Sequence, residues 1–254
     1  MKILALIPAR YNSTRLSNKL LKTINKKTII QRTYLQSLKS KYITTSFVFT
    51  DSDVIKKNIE QIGGNVLIVK DKCSNGTERL ISGLKKFQET FKDYDIIVNV
   101  QGDEPFINPQ HIDTAIESFL VAKEKNSLCV CSTLHYIIDT NEKLEDTSIV
   151  KLVVSKNNNI LYGSRNCIPS NKKKIHDIHN FNYYGHIGLF VFDKKFLLQK
   201  GFKTTKLQKE EDLEWLNILE NGYNIVTTLV ANYEIGINTM KDYNFLLNKY
   251  SNNI

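Results

Sequence analysis

Three cations stand close together near the start of the chain: Arg10, Arg15 and Lys19, in the acid-free stretch IPARYNSTRLSNK. Side chains of this kind neutralise phosphate oxygens, arginine through its planar fork and lysine as a point charge. The loop contains no glycine and matches neither GxxxxGK[ST] nor GxGxxG, which excludes a Walker loop and a dinucleotide fingerprint. Backbone N–H groups from Asn12 to Thr14 can line an anion nest beside the arginines. The plain alternative is a solvated basic turn.

Two more polar clusters carry possible chemistry. In SNGTERL, residues 74–80, turn formers open a helix whose N-terminus suits a base or a sugar hydroxyl, although every helix needs a cap. In VNVQGDEP, residues 98–105, an apolar strand delivers Gln101, Gly102, Asp103 and Glu104 to its end. A hard cation such as Mg²⁺ takes one or two carboxylates plus phosphate oxygens, so Asp103 facing the basic loop is a sensible ligand. An acidic surface turn is the competing reading. His176 and His179 lack a third ligand and are set aside as a metal site. Glu210, Glu211, Asp212 and Glu214 crowd what reads as the start of a helix, where acids suit the macrodipole.

The elements that must position these residues follow from apolar spacing. KILALI (2–7), TSFVFTD (45–51), NVLIVK (65–70) and the run from 94 read as strands. Helical spacing fills 28–40, 54–64, 77–91 and 109–124. The β-α-β-α-β-α-β succession implies a parallel sheet with crossover helices. Ligands sit beyond the carboxyl ends of such strands, where the loops 8–19, 73–79 and 101–105 emerge. The later chain is richer in strands (127–137, 150–155, 160–165, 186–193, 223–231), with helices expected over 208–221 and 239–249. Residues 166–182, rich in Asn, Lys and His, read as a mobile loop.

Composition narrows the function classes. At 254 residues, 41% apolar and 24% charged, the chain can bury a substantial core. Its +9 charge raises nucleic acid as a partner, but the lysines are spread out and no aromatic-plus-basic stripe exists, so no nucleic acid is expected. No segment reaches the 18 apolar residues of a membrane span, and ILALIPA is too short for a signal-peptide core, which points to the cytoplasm. The four cysteines form no CxxC pair and read as small hydrophobes in a reducing compartment.

Taken in order, IPARYNSTRL, SNGTERL, VNVQGDEP, LYGSR, HIGLFVF and EDLEWLNILENG resemble the 3-deoxy-manno-octulosonate (Kdo) cytidylyltransferase family over nearly the whole chain. The resemblance implies a single domain, 1–254, with a Rossmann-like α/β nucleotidyltransferase fold: a mostly parallel central sheet flanked by helices. About 1–125 would form the nucleotide-binding half, and about 126–254 a β-rich acceptor and dimerisation part. It implies CTP as donor, Mg²⁺ as cofactor, a homodimer, and a 3-deoxy-2-ulosonic acid as acceptor, most simply Kdo, for lipopolysaccharide or capsule assembly. A modified ulosonic acid, or a nucleotide-binding relative with weakened catalysis, are the alternatives.

Carried over residue by residue, Arg10, Arg15 and Lys19 match the triphosphate clamp, and Ala9, Ser13, Ser74, Thr77 and Arg79 match nucleotide positions. Asp103 matches the metal ligand, while Gln101, Arg165, His186 and Glu214 match the sugar-acid site. The chain departs from the family pattern at four places. Ser17-Asn18 replaces Pro-Gly, with Asn18 able to take positive φ in glycine's stead. Gly163 replaces Phe, Trp215 and Asn217 replace Gln and Arg, and Asn238 replaces an aspartate of the metal shell.

Overall fold

The computed structural model describes residues 1–13, 16–172, 176–200, 205–231 and 233–251. The chain divides into two compact units: Met1–Asp113 with Phe192–Gly201 and Glu234–Ile254, and Thr114–Val191 with Phe202–Tyr233.

The first unit begins with β1 (Lys2–Ala9), a 3₁₀ turn (Lys19–Leu21), the small hairpin β2 (Thr23–Ile24) and β3 (Lys27–Thr28), and α1 (Ile29–Ser37). Then come β4 (Thr45–Thr50), α2 (Asp53–Glu60), β5 (Val66–Ile68), α3 (Gly76–Lys86), β6 (Tyr94–Val100) and α4 (Pro109–Lys125), which leads out of the unit. Leu4, Ala5, Leu6 and Ile7 are fully buried, as a strand covered on both faces requires. The strand order is β6-β1-β4-β5, and every pairing is parallel.

Contrary to expectation, β1 does not stop at Pro8. Pairing with β4 runs on to Ala9 opposite Thr50, whereas pairing with β6 ends at Leu6 opposite Asn99. One edge is therefore already open at Pro8, where a missing N–H costs little. The helices begin where their caps dictate. Thr28 and Gln31 form a reciprocal capping box for α1, Ser52 caps α2, and the Asn75 side chain accepts the Glu78 N–H to start α3. Helix α3 ends well short of residue 91, because Phe87 leaves helical geometry and Phe91 packs edge-on to Phe47 at 5.1 Å.

The second unit contains β7 (Cys129–Ile137), α5 (Asn141–Glu145), β8 (Lys151–Val154), β9 (Ile160–Ser164) and β10 (Tyr184–Asp193). After α6 (Lys194–Lys200) come α7 (Lys206–Glu211), α8 (Leu216–Glu220) and β11 (Asn224–Leu229), and α9 (Met240–Ser251) closes the first unit. Here β11 runs parallel to β7, β7 neighbours β10, and β8 is antiparallel to both β10 and β9. The helix expected over 208–221 breaks in two at Asp212, which takes a left-handed conformation (φ +51°). Glu210 and Glu211 therefore close α7; Thr205 caps its start, so the macrodipole does not explain these acids. Within 166–182 the described residues form no helix or strand, yet Cys167 and Ile178 pack on a small core of Ile138, Leu144 and Tyr183. Cys129 and Cys131 are buried as expected, while Cys73 and Cys167 are only half-buried. No described helix is long and apolar enough to cross a membrane.

Two of the four departures prove to be one packing event. A Cβ on Gly163 would lie 2.3 Å from Trp215 Cη2 and 2.8 Å from its Cζ2, so the buried indole fills the space over the glycine. Gly163→Ala is expected to destabilise the protein by about 1–3 kcal/mol through overpacking. Adding Trp215→Phe should recover part of that loss, read by urea unfolding with circular dichroism; strictly additive losses would show that the two positions are independent.

Candidate active site

In open parallel sheets a ligand crevice forms where the strand order reverses, and in the first unit that point lies between β1 and β6. A pocket opens there. Ala9 and Arg10 reach it from the end of β1, Lys19 from the 3₁₀ turn, and Gln101 and Asp103 from the end of β6. Ser13, Asn75, Arg79 and Asn238 complete its polar lining.

The centre of the pocket is an ion pair, with Lys19 Nζ 2.5 Å from Asp103 Oδ2. Each partner is held from its backbone. Asn18 adopts the left-handed conformation (φ +51°) and its carbonyl accepts the Leu21 N–H, so it takes the backbone role expected of it in place of glycine. On the other side, the Gln101–Glu104 turn presses so close to β1 that a Cβ on Gly102 would sit 2.8 Å from the Pro8 carbonyl. Thr33 Oγ1 donates to the Gly102 carbonyl (3.0 Å), and the Ile237 N–H donates to the Asp103 carbonyl (2.9 Å). That last bond brings Asn238 to the pocket. The Asp242 carboxylate then fixes the loop by accepting the Asn238 and Thr239 N–H groups at 2.9 and 2.7 Å.

The remaining expected nucleotide residues fall into four groups. Arg10 is exposed and has no side-chain partner among the described residues. Arg79 lines the pocket but is tied down, donating to the Val69 carbonyl (2.6 Å) and to Asp51 Oδ2 (2.9 Å). Ser74 and Thr77 do not line the pocket: the Ser74 N–H is bonded to Glu78, and Thr77 is buried. Arg15 lies outside the described residues. Sequence reasoning missed Asp51, which also accepts the Tyr11 N–H (3.1 Å) and so braces the basic loop against α3. Its place at the carboxyl end of a parallel strand was the available signal.

Arg10, Lys19 and Arg79 line the pocket with Asp103, the only carboxylate among its described lining residues. With Lys19 paired to Asp103 and Arg79 to Asp51, Arg10 carries the charge left unpaired among these residues, so the pocket favours an anion. Among the described residues no group of three His, Cys, Asp or Glu side chains exists that could hold a metal by itself. Asp103 plus the Asn238 amide oxygen suits Mg²⁺ when phosphate oxygens supply further ligands.

The other three expected sugar-acid residues, Arg165, His186 and Glu214, belong to the second unit, whereas Gln101 lines the first unit's pocket. Glu214 is half-buried in the turn between α7 and α8. The His186 ring lies against Phe190 (5.0 Å) and Trp215 (5.6 Å), with Nε2 2.9 Å from Thr133 Oγ1. Thr133 has one hydroxyl proton, and its shortest contact is to the Leu189 carbonyl at 2.7 Å. That assignment makes His186 Nε2 the donor to Thr133 and leaves Nδ1 as a lone-pair acceptor. Burial, with His135 second, pushes the His186 pKa down to about 3, so the ring is a neutral hydrogen-bond acceptor and not a base. Burial likewise lowers His135 to about 4.

Arg165, at the end of β9, donates from Nε to the Glu211 carbonyl, from Nη1 to the Thr147 carbonyl and from Nη2 to Asp212, each at 3.1 Å. Its fork is thus partly engaged. Sequence reasoning took Glu211 only for a helix-start acid and passed over Lys151; both hold the Arg165 backbone, and nothing in their spacing signals that contact.

Both histidine pKa values lie below the ordinary 6.5, so the unfolded chain binds more protons than the fold between that value and about 3–4. Their stabilising contribution is complete above about pH 6.5 and is lost as pH falls through that window. The thermal midpoint of the second unit, read by fluorescence of the single tryptophan, Trp215, should drop on acidification. His135→Gln should flatten the dependence; an unchanged slope would mean that His135 is not held neutral.

A family model described as Cytidylyltransferase matches residues 4–226. The chain is 37% identical over 242 residues to a 3-deoxy-manno-octulosonate cytidylyltransferase of Protochlamydia amoebophila, covering 95% of this chain and 91% of that one. It is 34% identical over 245 residues to an 8-amino-3,8-dideoxy-manno-octulosonate cytidylyltransferase of Shewanella baltica, covering 95% and 96%. Among solved structures, a CMP:2-keto-3-deoxy-manno-octonic acid synthetase complexed with CTP superposes with a TM-score of 0.86 at 28% identity, covering all of both chains. With its parallel sheet, its basic pocket at the β1–β6 crevice and these likenesses, the chain belongs to the cytidylyltransferase family.

Proposed function

We propose that this protein transfers the cytidylyl group of CTP to the anomeric hydroxyl of Kdo, giving CMP-Kdo and pyrophosphate. The observation that carries the reading is the gathering of Arg10, Lys19, Asp103 and Asn238 in one pocket at the switch point of the sheet. The relatives named for Kdo supply the acceptor. In the reaction the anomeric oxygen bonds to the α-phosphorus, the bond from that phosphorus to the bridging oxygen breaks, and the hydroxyl proton passes to solvent. Such chemistry depends chiefly on position and charge. Arg10 and Lys19 neutralise the phosphate oxygens and the leaving pyrophosphate. Mg²⁺, held by Asp103 with the Asn238 amide oxygen, would add charge neutralisation when bound. Arg165 binds the acceptor carboxylate, and neutral His186 accepts a sugar hydroxyl through Nδ1. A cytoplasmic location is proposed from the composition of the sequence, and a homodimer from the family resemblance.

A second acceptor is favoured by a specific observation, since the Shewanella baltica relative is named for the 8-amino sugar at a similar identity. Purified protein with CTP, Mg²⁺ and a panel of ulosonic acids should release pyrophosphate fastest with Kdo. A preference for the 8-amino sugar would move the assignment to that acceptor, and silence with every acid would sink the transferase reading.

Asp103→Ala should abolish turnover while leaving the unfolding midpoint nearly unchanged; an undiminished rate would remove Asp103 from the site. Asn238→Asp adds a second carboxylate beside Asp103 and should lower the Mg²⁺ concentration needed for half-maximal rate. No change in that concentration would mean that Asn238 lies outside the metal shell.

A further inference from the structure

Lys151, on β8, is 0% exposed and has no carboxylate partner among the described residues. Its ammonium donates to the carbonyls of Asp146 (2.9 Å), Ile149 (2.7 Å) and Arg165, three donors for three acceptors. A buried ammonium is costly unless every proton is accepted, so such an arrangement holds its acceptors firmly in place. Burial also lowers its pKa, in keeping with a solvent-free site.

Glu211 grips the same residue from the other side. Its Oε2 accepts the Arg165 N–H (3.1 Å) and the Ser164 hydroxyl (2.9 Å), and its Oε1 accepts the Tyr162 hydroxyl (3.2 Å). The Arg165 peptide therefore has its C=O on a cation and its N–H on an anion. Its guanidinium is steadied by the Glu211, Asp212 and Thr147 carbonyls, yet the side chain stays 30% exposed. Five N–H donors against these contacts leave an Nη1 proton and the positive charge for a ligand. The Asp212 carboxylate that also touches Nη2 is 89% exposed and a weak competitor.

We propose that Lys151 and Glu211 are positioning residues for Arg165, holding both polar groups of its peptide so that the guanidinium meets the acceptor carboxylate from a fixed base. This rests on the reading of Arg165 as the carboxylate ligand. Fixing the guanidinium in advance removes side-chain ordering from the cost of binding the acid.

The test compares Kdo with its C1 carboxamide, which keeps the anomeric hydroxyl and loses the negative charge. Wild-type protein should prefer the acid in kcat/KM. Lys151→Met should raise the acid's KM about tenfold and leave the KM for CTP within about twofold, and its preference for acid over amide should shrink. A purely structural role would lower the thermal midpoint without changing that preference. Where Lys151→Met does not fold, Glu211→Gln, which keeps shape and removes charge, should shift the preference in the same direction. A folded variant that retains the wild-type preference overturns the positioning role alone. A wild-type protein indifferent to the carboxamide overturns it together with the reading of Arg165, while pyrophosphate release with Kdo would still uphold the transferase.

Discussion

The turn that carries Asp103 is the constraint on which the first unit's pocket depends. Gly102 brings it within van der Waals distance of the Pro8 carbonyl, Thr33 anchors it to α1, and the Asp103 carbonyl receives the loop that holds Asn238. Four stretches distant in sequence, namely the β1 end, α1, the β6 end and residues 236–239, thereby converge on one turn. Lys19 meets the Asp103 carboxylate at 2.5 Å from a turn whose geometry rests on a single left-handed residue, Asn18. Among the described lining residues Arg10, Lys19 and Arg79 outnumber the single acid Asp103, and Arg10 is unpaired, so the pocket suits an anion.

The second unit manages its buried polar groups differently. Lys151 keeps its charge by saturating it with carbonyls, whereas His135 and His186 give theirs up to burial. Glu211 collects two hydroxyls and one N–H on a single carboxylate. Each is a case of the same rule, that a polar group in a low-dielectric interior is either fully partnered or neutral. Lys151 and Glu211 thereby hold the Arg165 backbone in one geometry, in keeping with its proposed role as a ligand of the acid.

The departures from the family pattern read differently in three dimensions. Gly163 and Trp215 look like two separate changes in the sequence, but the glycine leaves room that the indole fills. Asn18 supplies the backbone conformation that glycine would. Asn238 is the departure that lines the pocket, and Asp103 is the only acid among its described lining residues.

Much of this protein was legible from its residues. Apolar runs separated by amphipathic stretches imply a parallel sheet, and polar loops at strand ends imply a crevice there. Those inferences hold because burial and periodicity are local properties, and because strand ends in such sheets converge for topological reasons. The order IPAR, GTER, QGDEP pointed to CTP chemistry in another way, through its resemblance to a known family. Tertiary structure alone decided the rest. That Arg79 is a strut tied to Asp51, and that Lys151 and Glu211 hold Arg165, depend on hydrogen bonds between residues far apart in the chain. A charged residue reads the same in sequence whether it faces solvent, substrate or a buried carbonyl, and only the packed chain determines which.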